Sequence, residues 1–186
     1  MKNLIYTVGH STRTIEGFIA LMKVYKIKIV VDVRTIAGSA YNPQYNQENL
    51  DKSLQTNKIS YMRLEKLGGL RRTTKESINT GWENVSFRGY ADYMQTPEFK
   101  EGISELIAIA AKKQSVIMCA EAVPWRCHRS LIGDALVIRN IAVEDIFNEK
   151  SCKPHKLTSF AKVVRGTITY PKIATEKMRI RKNANK

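Results

Sequence analysis

Three short apolar runs, LIYTVGH (4–10), KIVVDVR (28–34) and SVIMCAE (115–121), do most to limit how this 186-residue chain can fold. Each is rich in β-branched residues and too continuous for a half-exposed strand, in which apolar and polar residues alternate. Strands buried on both faces read this way, and such strands are typically parallel. Between the first two, TIEGFIALMKVY sets Ile15, Phe18, Ile19, Met22 and Tyr25 at helical spacing behind Thr14, a residue suited to cap a helix. Strand, helix and strand in succession form the crossover unit of a parallel sheet.

The rest of the chain continues the alternation. TPEF (96–99) announces a helix, with Thr96 as cap, Pro97 in the first position and Glu98 at the positive end of the dipole; Phe99, Ile103, Leu106, Ile107 and Ala110 form its apolar face. After SVIMCAE the chain turns through Ala122–Pro124 into a helix that carries Cys127, Leu131, Ala135 and Ile138 on one side, and NIAVEDIFN (140–148) reads as a further strand. Residues 48–59 are weakly helical and 60–69 strand-like, whereas 71–90 has no sustained period and holds four basic residues, the pattern of an exposed flap. Together these predict an α/β fold, a three-layer sandwich with a mainly parallel central sheet, Rossmann-like, in a single domain over residues 1–170. Residues 171–186 read as a basic, flexible tail, since 172–186 holds six basic residues against one acidic.

Composition excludes some classes of protein. The longest wholly apolar run near a helix, LIAIAA (106–111), falls far short of the roughly 20 residues of a membrane span, and MKNLIYTVGH turns polar too soon for a secretory signal. Three cysteines without dense spacing do not make a disulfide framework, so reduced thiols and a cytoplasmic location are expected. A formal charge of +14 makes a polyanion the first partner to consider, either nucleic acid or a phosphate-bearing small molecule.

Parallel sheets bind ligands beyond the carboxyl ends of their strands, and the three apolar runs end in GHS (9–11), DVR (32–34) and CAE (119–121). Convergence of these ends in one crevice is therefore expected. Gly9 permits a tight exit, His10 titrates near neutral pH and Ser11 offers a hydroxyl. Asp32 and Arg34 either pair with each other or present Arg34 to an anion. In AYNPQY (40–45) a turn carries two tyrosines, of which Tyr45 can wall a planar ligand; in EKLGGLRR (65–72), Gly68 and Gly69 allow close backbone approach. CAEAVPWRCHR (119–129) is the densest stretch. Cys119 and Glu121 end a strand, while Cys127, His128 and Arg129 lie at or just inside a helix start, whose free N–H groups favour an anion or a thiolate. That placement predicts Cys127 as the more reactive thiol and Cys119 as the more shielded. The Cys119-to-Arg126 interval is one residue longer than the C-x5-R loop of cysteine phosphatases, and C-x7-C-H lacks the close pairing of zinc sites, so no metal is expected.

TVGHS, VDVR, NPQY, KLGG and CAE…CHR, in this order, resemble the family called domain of unknown function 488, over about residues 4 to 157. The resemblance implies an α/β domain with these motifs grouped at one site, and points to His10, Ser11, Asp32, Arg34, Tyr45, Gly68, Gly69, Cys119, Glu121, Cys127, His128 and Arg129. It supplies neither a reaction nor a cofactor. Within that set Cys119, Cys127, Glu121 and His10 are the expected catalytic groups; Ser11, Asp32, Arg34, Tyr45, Gly68, Gly69, His128 and Arg129 are the expected binding groups. His155, in CKPHKL, is a further candidate. The reading is an enzyme acting on a nucleotide, a nucleic acid or another phosphate-bearing substrate at an anion-binding crevice. A non-catalytic nucleic-acid or nucleotide-binding module, and a thiol-based redox-responsive protein, are the alternatives.

Overall fold

The three apolar runs are neighbouring strands at the centre of one sheet. The structure, a computed structural model, describes residues 4–172. In chain order its elements are β1 (Leu4–Gly9), α1 (Ile15–Val24), β2 (Ile29–Asp32), α2 (Gln47–Thr56), β3 (Ser60–Arg63), α3 (Val85–Tyr93), α4 (Pro97–Ala110), β4 (Ser115–Cys119), α5 (Arg129–Val137), β5 (Ala142–Asn148), β6 (Ser151–Pro154), β7 (Lys162–Val164) and β8 (Thr167–Thr169). The main sheet runs β3-β2-β4-β1-β5-β6, parallel throughout except for β6, which returns antiparallel to β5. The expected three-layer α/β sandwich with a mainly parallel sheet is the architecture found.

Side-chain alternation along the central strands builds two cores. Ile5, Val31, Ile117 and Cys119 face one way and pack with Phe99, Ile103 and Leu106 of α4 and Leu131, Ile132 and Ala135 of α5. Val8, Val30, Val116 and Met118 face the other way, onto Phe18, Leu21 and Met22 of α1 and Leu50 and Leu54 of α2. Each such fully buried side chain contributes about 1.5–3 kcal/mol relative to exposure. The helix starts read from sequence are in place: Thr14 accepts a hydrogen bond from the Gly17 amide, and Thr96 from that of Phe99 ahead of Pro97. Among the described residues no helix is long and apolar enough to cross a membrane.

Two segments differ from the sequence reading. The stretch 71–90 is irregular only as far as residue 84; Asn84 then caps α3 through the Ser86 and Phe87 amides, and Tyr90, Ala91 and Tyr93 enter the core. The irregular part is fastened as well, since the Asp92 carboxylate accepts hydrogen bonds from Thr73, Thr74, Ser77 and Asn79. The nine residues of α3, VSFRGYADY, mix apolar with small and charged side chains, so the helix is far less apolar than α1 and does not stand out from the loop before it. The second difference is the β7–β8 hairpin, which turns through Arg165 and Gly166, both at positive φ, and brings Ile168 and Tyr170 onto the α4–α5 side. The basic tail expected over 171–186 lies, from residue 173 onward, outside the described residues.

The topology also fixes where a ligand can sit. β1 and β2 feed helices on the α1–α2 face, whereas β4, lying between them, feeds α5 on the opposite face. Chains leaving adjacent strands toward opposite faces open a crevice at the carboxyl ends. Gly9 is needed there, because a β-carbon at this position would overlap the backbone carbonyl of Glu121. Gly9→Ala is expected to destabilise the fold by on the order of 3 kcal/mol, read as a lowered urea midpoint.

Candidate functional site

The strand ends form two adjoining pockets rather than one. The first, about 320 Å³, is lined by His10, Ser11, Thr12, Arg34, Ser39, Asn42 and Glu121, among others. The second, about 160 Å³, is lined by Cys119, Cys127, His128, Glu121, Arg126, Gly69, Phe87 and Tyr90, among others. His10, Arg34 and Glu121 thus share a concavity, as the motif positions predict, while the cysteines lie on the other side of the sheet's edge. The division follows from the pleat: β4 sends Met118 to the α1–α2 face and Cys119 to the α4–α5 face, and the chain after β1 turns toward α1. Glu121, exposed, borders both pockets.

In the first pocket most of the charge is already committed. Asp32 is wholly enclosed and accepts from the Arg34 backbone amide, from Arg34 Nε at 2.9 Å and Nη2 at 2.6 Å, and from the Tyr61 hydroxyl at 2.8 Å. Arg34 Nη2 also donates to the Tyr45 carbonyl. The pair is therefore a buried strut rather than an open anion site. Tyr45 has no exposed surface and stacks on His10, with ring centroids 4.0 Å apart, in place of walling a ligand. His10 Nδ1 lies 2.8 Å from the Ser11 carbonyl, to which it donates, leaving Nε2 facing Arg34 Nη1 at 3.4 Å. Burial lowers the His10 pKa and Arg34 lowers it further, against the pull of the Ser11 carbonyl. A neutral His10 follows, held as an acceptor toward Arg34.

The second pocket gathers the two thiols and an imidazole. The sequence reading puts Cys127 on a face of the helix, but α5 starts only at Arg129, behind His128, because the chain first makes a short turn over Pro124–Arg126. Cys127 is extended, and its sulfur receives the Arg129 amide at 3.5 Å. His128 Nε2 donates to the Val33 carbonyl at 2.9 Å, which turns Nδ1 toward both sulfurs: 3.7 Å to Cys127 Sγ and 3.9 Å to Cys119 Sγ. Gly69 lies against that ring, where a β-carbon would stand 3.0 Å from Nδ1. The neighbouring Gly68 instead packs on Thr35 and the Glu65 carbonyl, away from the pocket. Arg129 is 1 % exposed; Nη1 donates to the Glu121 carbonyl, Nε has no partner, and no carboxylate among the described residues pairs with it. It lies below the pocket as a buried positive charge facing the sulfurs. The two sulfurs lie within 4.8 Å of each other, so the ionisation of one bears on that of the other. Cys119 is drawn down chiefly because Cys127 donates to it, with His128 and Arg129 assisting, and Cys127 is pushed up in return. Both sulfurs lie within 4 Å of His128 Nδ1, and Cys127 is the more enclosed of the two, 3 % exposed against 8 % for Cys119.

Sequence reasoning missed the surroundings of this pocket. A groove of about 530 Å³, bordered by Trp82, Asn84, Phe87, Glu121, Trp125 and Arg126, adjoins it through Phe87, Glu121 and Arg126. Trp125 is 64 % exposed, and Trp82 stacks on Phe87 at 4.7 Å. An exposed tryptophan next to an arginine inside CAEAVPWRCHR was the available signal. His155 lies elsewhere, bridging Asp134 and Asp145 beneath a separate apolar pocket.

A doubly wound, mainly parallel α/β domain with a Cys-Cys-His cluster and a carboxylate at its switch point is the class that fold and site define. The chain belongs to the family described as Domain of unknown function DUF488, whose pattern matches residues 14–136, two thirds of its length. The match includes VDVR, NPQY, KLGG and CAE…CHR, and begins just after GHS. No curated protein and no solved structure matches the chain.

Proposed function

We propose that this protein is an enzyme acting on a nucleotide or nucleic acid, with the reacting group seated against Cys119, Cys127 and His128 and with Glu121 as general acid or base. The observation that carries the reading is the continuity of the pocket holding these four residues with a groove that carries Trp82, Phe87, Trp125 and Arg126. Aromatic faces beside cationic side chains are how proteins hold unpaired bases and their phosphates. The +14 charge brings such a ligand in from solution. Lys153 and Lys156, which border the pocket on the other side of Trp125, extend the basic surface.

Two measurements test this. The first is turnover: the protein is incubated with a panel of nucleotides and single-stranded oligonucleotides and the products weighed by mass spectrometry. A mass change produced by the wild type and lost in Glu121→Gln is expected; unchanged substrates across the panel would reduce the site to a binding pocket. The second is affinity: Trp125→Ala should cost about 1–3 kcal/mol of oligonucleotide binding at low salt, measured by fluorescence anisotropy. Removing residues 173–186 should flatten the salt dependence, and absence of binding at low salt would contradict the proposal.

A further inference from the structure

We infer that Cys119, Cys127 and His128 form a three-ligand site for a divalent transition metal, zinc by chemistry, whose fourth position opens toward Glu121. The inference deepens the reading above and rests on it only for the use of the metal, not for its binding. Along the chain the residues are spaced as C-x7-C-H, which argues against a metal; in space the two sulfurs and His128 Nδ1 all lie within 4.8 Å of one another. Ligands about 2.3 and 2.0 Å from a common tetrahedral centre stand about 3.5 Å apart, so the S···N separations of 3.7 and 3.9 Å need close by only a few tenths of an ångström to hold an ion.

Three further features suit an ion. His128 donates Nε2–H to the Val33 carbonyl, the outer contact that holds a metal-binding imidazole in its tautomer and turns the free lone pair inward. The Arg129 amide points at Cys127 Sγ, as amides do at metal-bound sulfur. Arg129 itself, buried without a carboxylate partner, balances the charge: two thiolates neutralise a divalent cation, and a hydroxide in the fourth position is offset by the guanidinium. Among the described residues no fourth cysteine, histidine or carboxylate joins the cluster, and three protein ligands with an open position are the pattern of a catalytic rather than a structural zinc. Such an ion acts as a Lewis acid and lowers the pKa of its water, whose proton Glu121, bordering the same pocket, can take.

The test uses the full chain, reduced and freed of metal by chelation, then titrated with Co²⁺ and Zn²⁺. Expected are one ion per chain, the intense visible bands of four-coordinate cobalt with a thiolate-to-metal transition in the near ultraviolet, and displacement of cobalt by zinc. Cys119→Ser, Cys127→Ser and His128→Gln should each weaken binding by more than the roughly 10–100-fold that outer contacts are worth. Cys152→Ser, on β6 and bonded to Glu144, should bind as the wild type does. A reduced wild type that gives no thiolate–cobalt band overturns the inference whether or not the variants fold, as does a band that survives loss of both Cys119 and Cys127. Oligonucleotide affinity of the metal-free protein separates the two readings: binding that persists without any metal site removes only the metal, and a metal site without oligonucleotide binding removes only the proposed substrate.

Discussion

Replacing His155 with alanine is expected to cost the folded state about 3–5 kcal/mol, the loss seen when one member of a buried charge cluster is removed. His155 Nδ1 lies 3.0 Å from Asp145 and Nε2 3.0 Å from Asp134, which is wholly buried. Asp134 also accepts from the Tyr170 hydroxyl and the Thr158 amide, and Asp145 from Thr7 on β1. One imidazolium therefore ties the C-terminal segment to α5 and to the sheet, and its removal leaves two carboxylates facing each other beside Gly133. Burial alone would lower the His155 pKa, but the two carboxylates override this and raise it from 6.5 to about 9. Because the folded value is the higher, the contribution is fully present below about pH 6.5 and is lost as pH rises through about 9. Its size is on the order of 3 kcal/mol. Urea midpoints measured by circular dichroism should fall between pH 7 and 10 in the wild type and stay flat in His155→Gln; equal slopes in both would show that another group is responsible.

Asp32→Asn should be nearly as damaging. The substitution leaves Arg34 enclosed with one hydrogen-bonding oxygen in place of a carboxylate that takes Nε, Nη2 and its own amide, and it weakens the Tyr61 contact. A loss of about 3–5 kcal/mol follows from an uncompensated buried cation. Removing both charges, in Asp32→Asn with Arg34→Gln, should cost less than the two single changes added together. Additive losses would mean that the pair contributes little as a pair. The consequence for the site is that Asp32 and Arg34 set the shape of the first pocket and hold His10 and Tyr45 in place, while the proposed ligand chemistry is assigned to the second.

How much of this was legible in the sequence depends on which physical signal carried it. Continuous β-branched runs and capped amphipathic helices declared the parallel sheet, α1 and α4, because burial on two faces and a helical stripe leave periodic traces. α3 left a faint one, since Gly89, Ser86 and Arg88 keep it from being strongly apolar and its stability comes from packing. The turn of the β7–β8 hairpin uses Arg165 and Gly166, a pair with no strong turn signature. At the site, strand ends brought His10, Arg34 and Glu121 together as read, whereas the division into two pockets depended on the pleat and on which face each crossover takes. Of the aromatic groove only Trp125 beside Arg126 left a trace in the sequence; Trp82 and Phe87 line the same groove only through the packing of a loop and of α3.

Entry of a nucleotide-like ligand through the aromatic groove to the Cys119–Cys127–His128 pocket is tested most directly by photo-cross-linking. A single-stranded oligonucleotide carrying a photoreactive base would be bound at low salt, irradiated, and the modified peptides sequenced by mass spectrometry. Cross-links on the peptides holding Trp82 to Phe87 and Trp125 to His128, reduced in Trp125→Ala, are predicted. Cross-links confined to residues 172–186, or spread evenly over the basic surface, would contradict it.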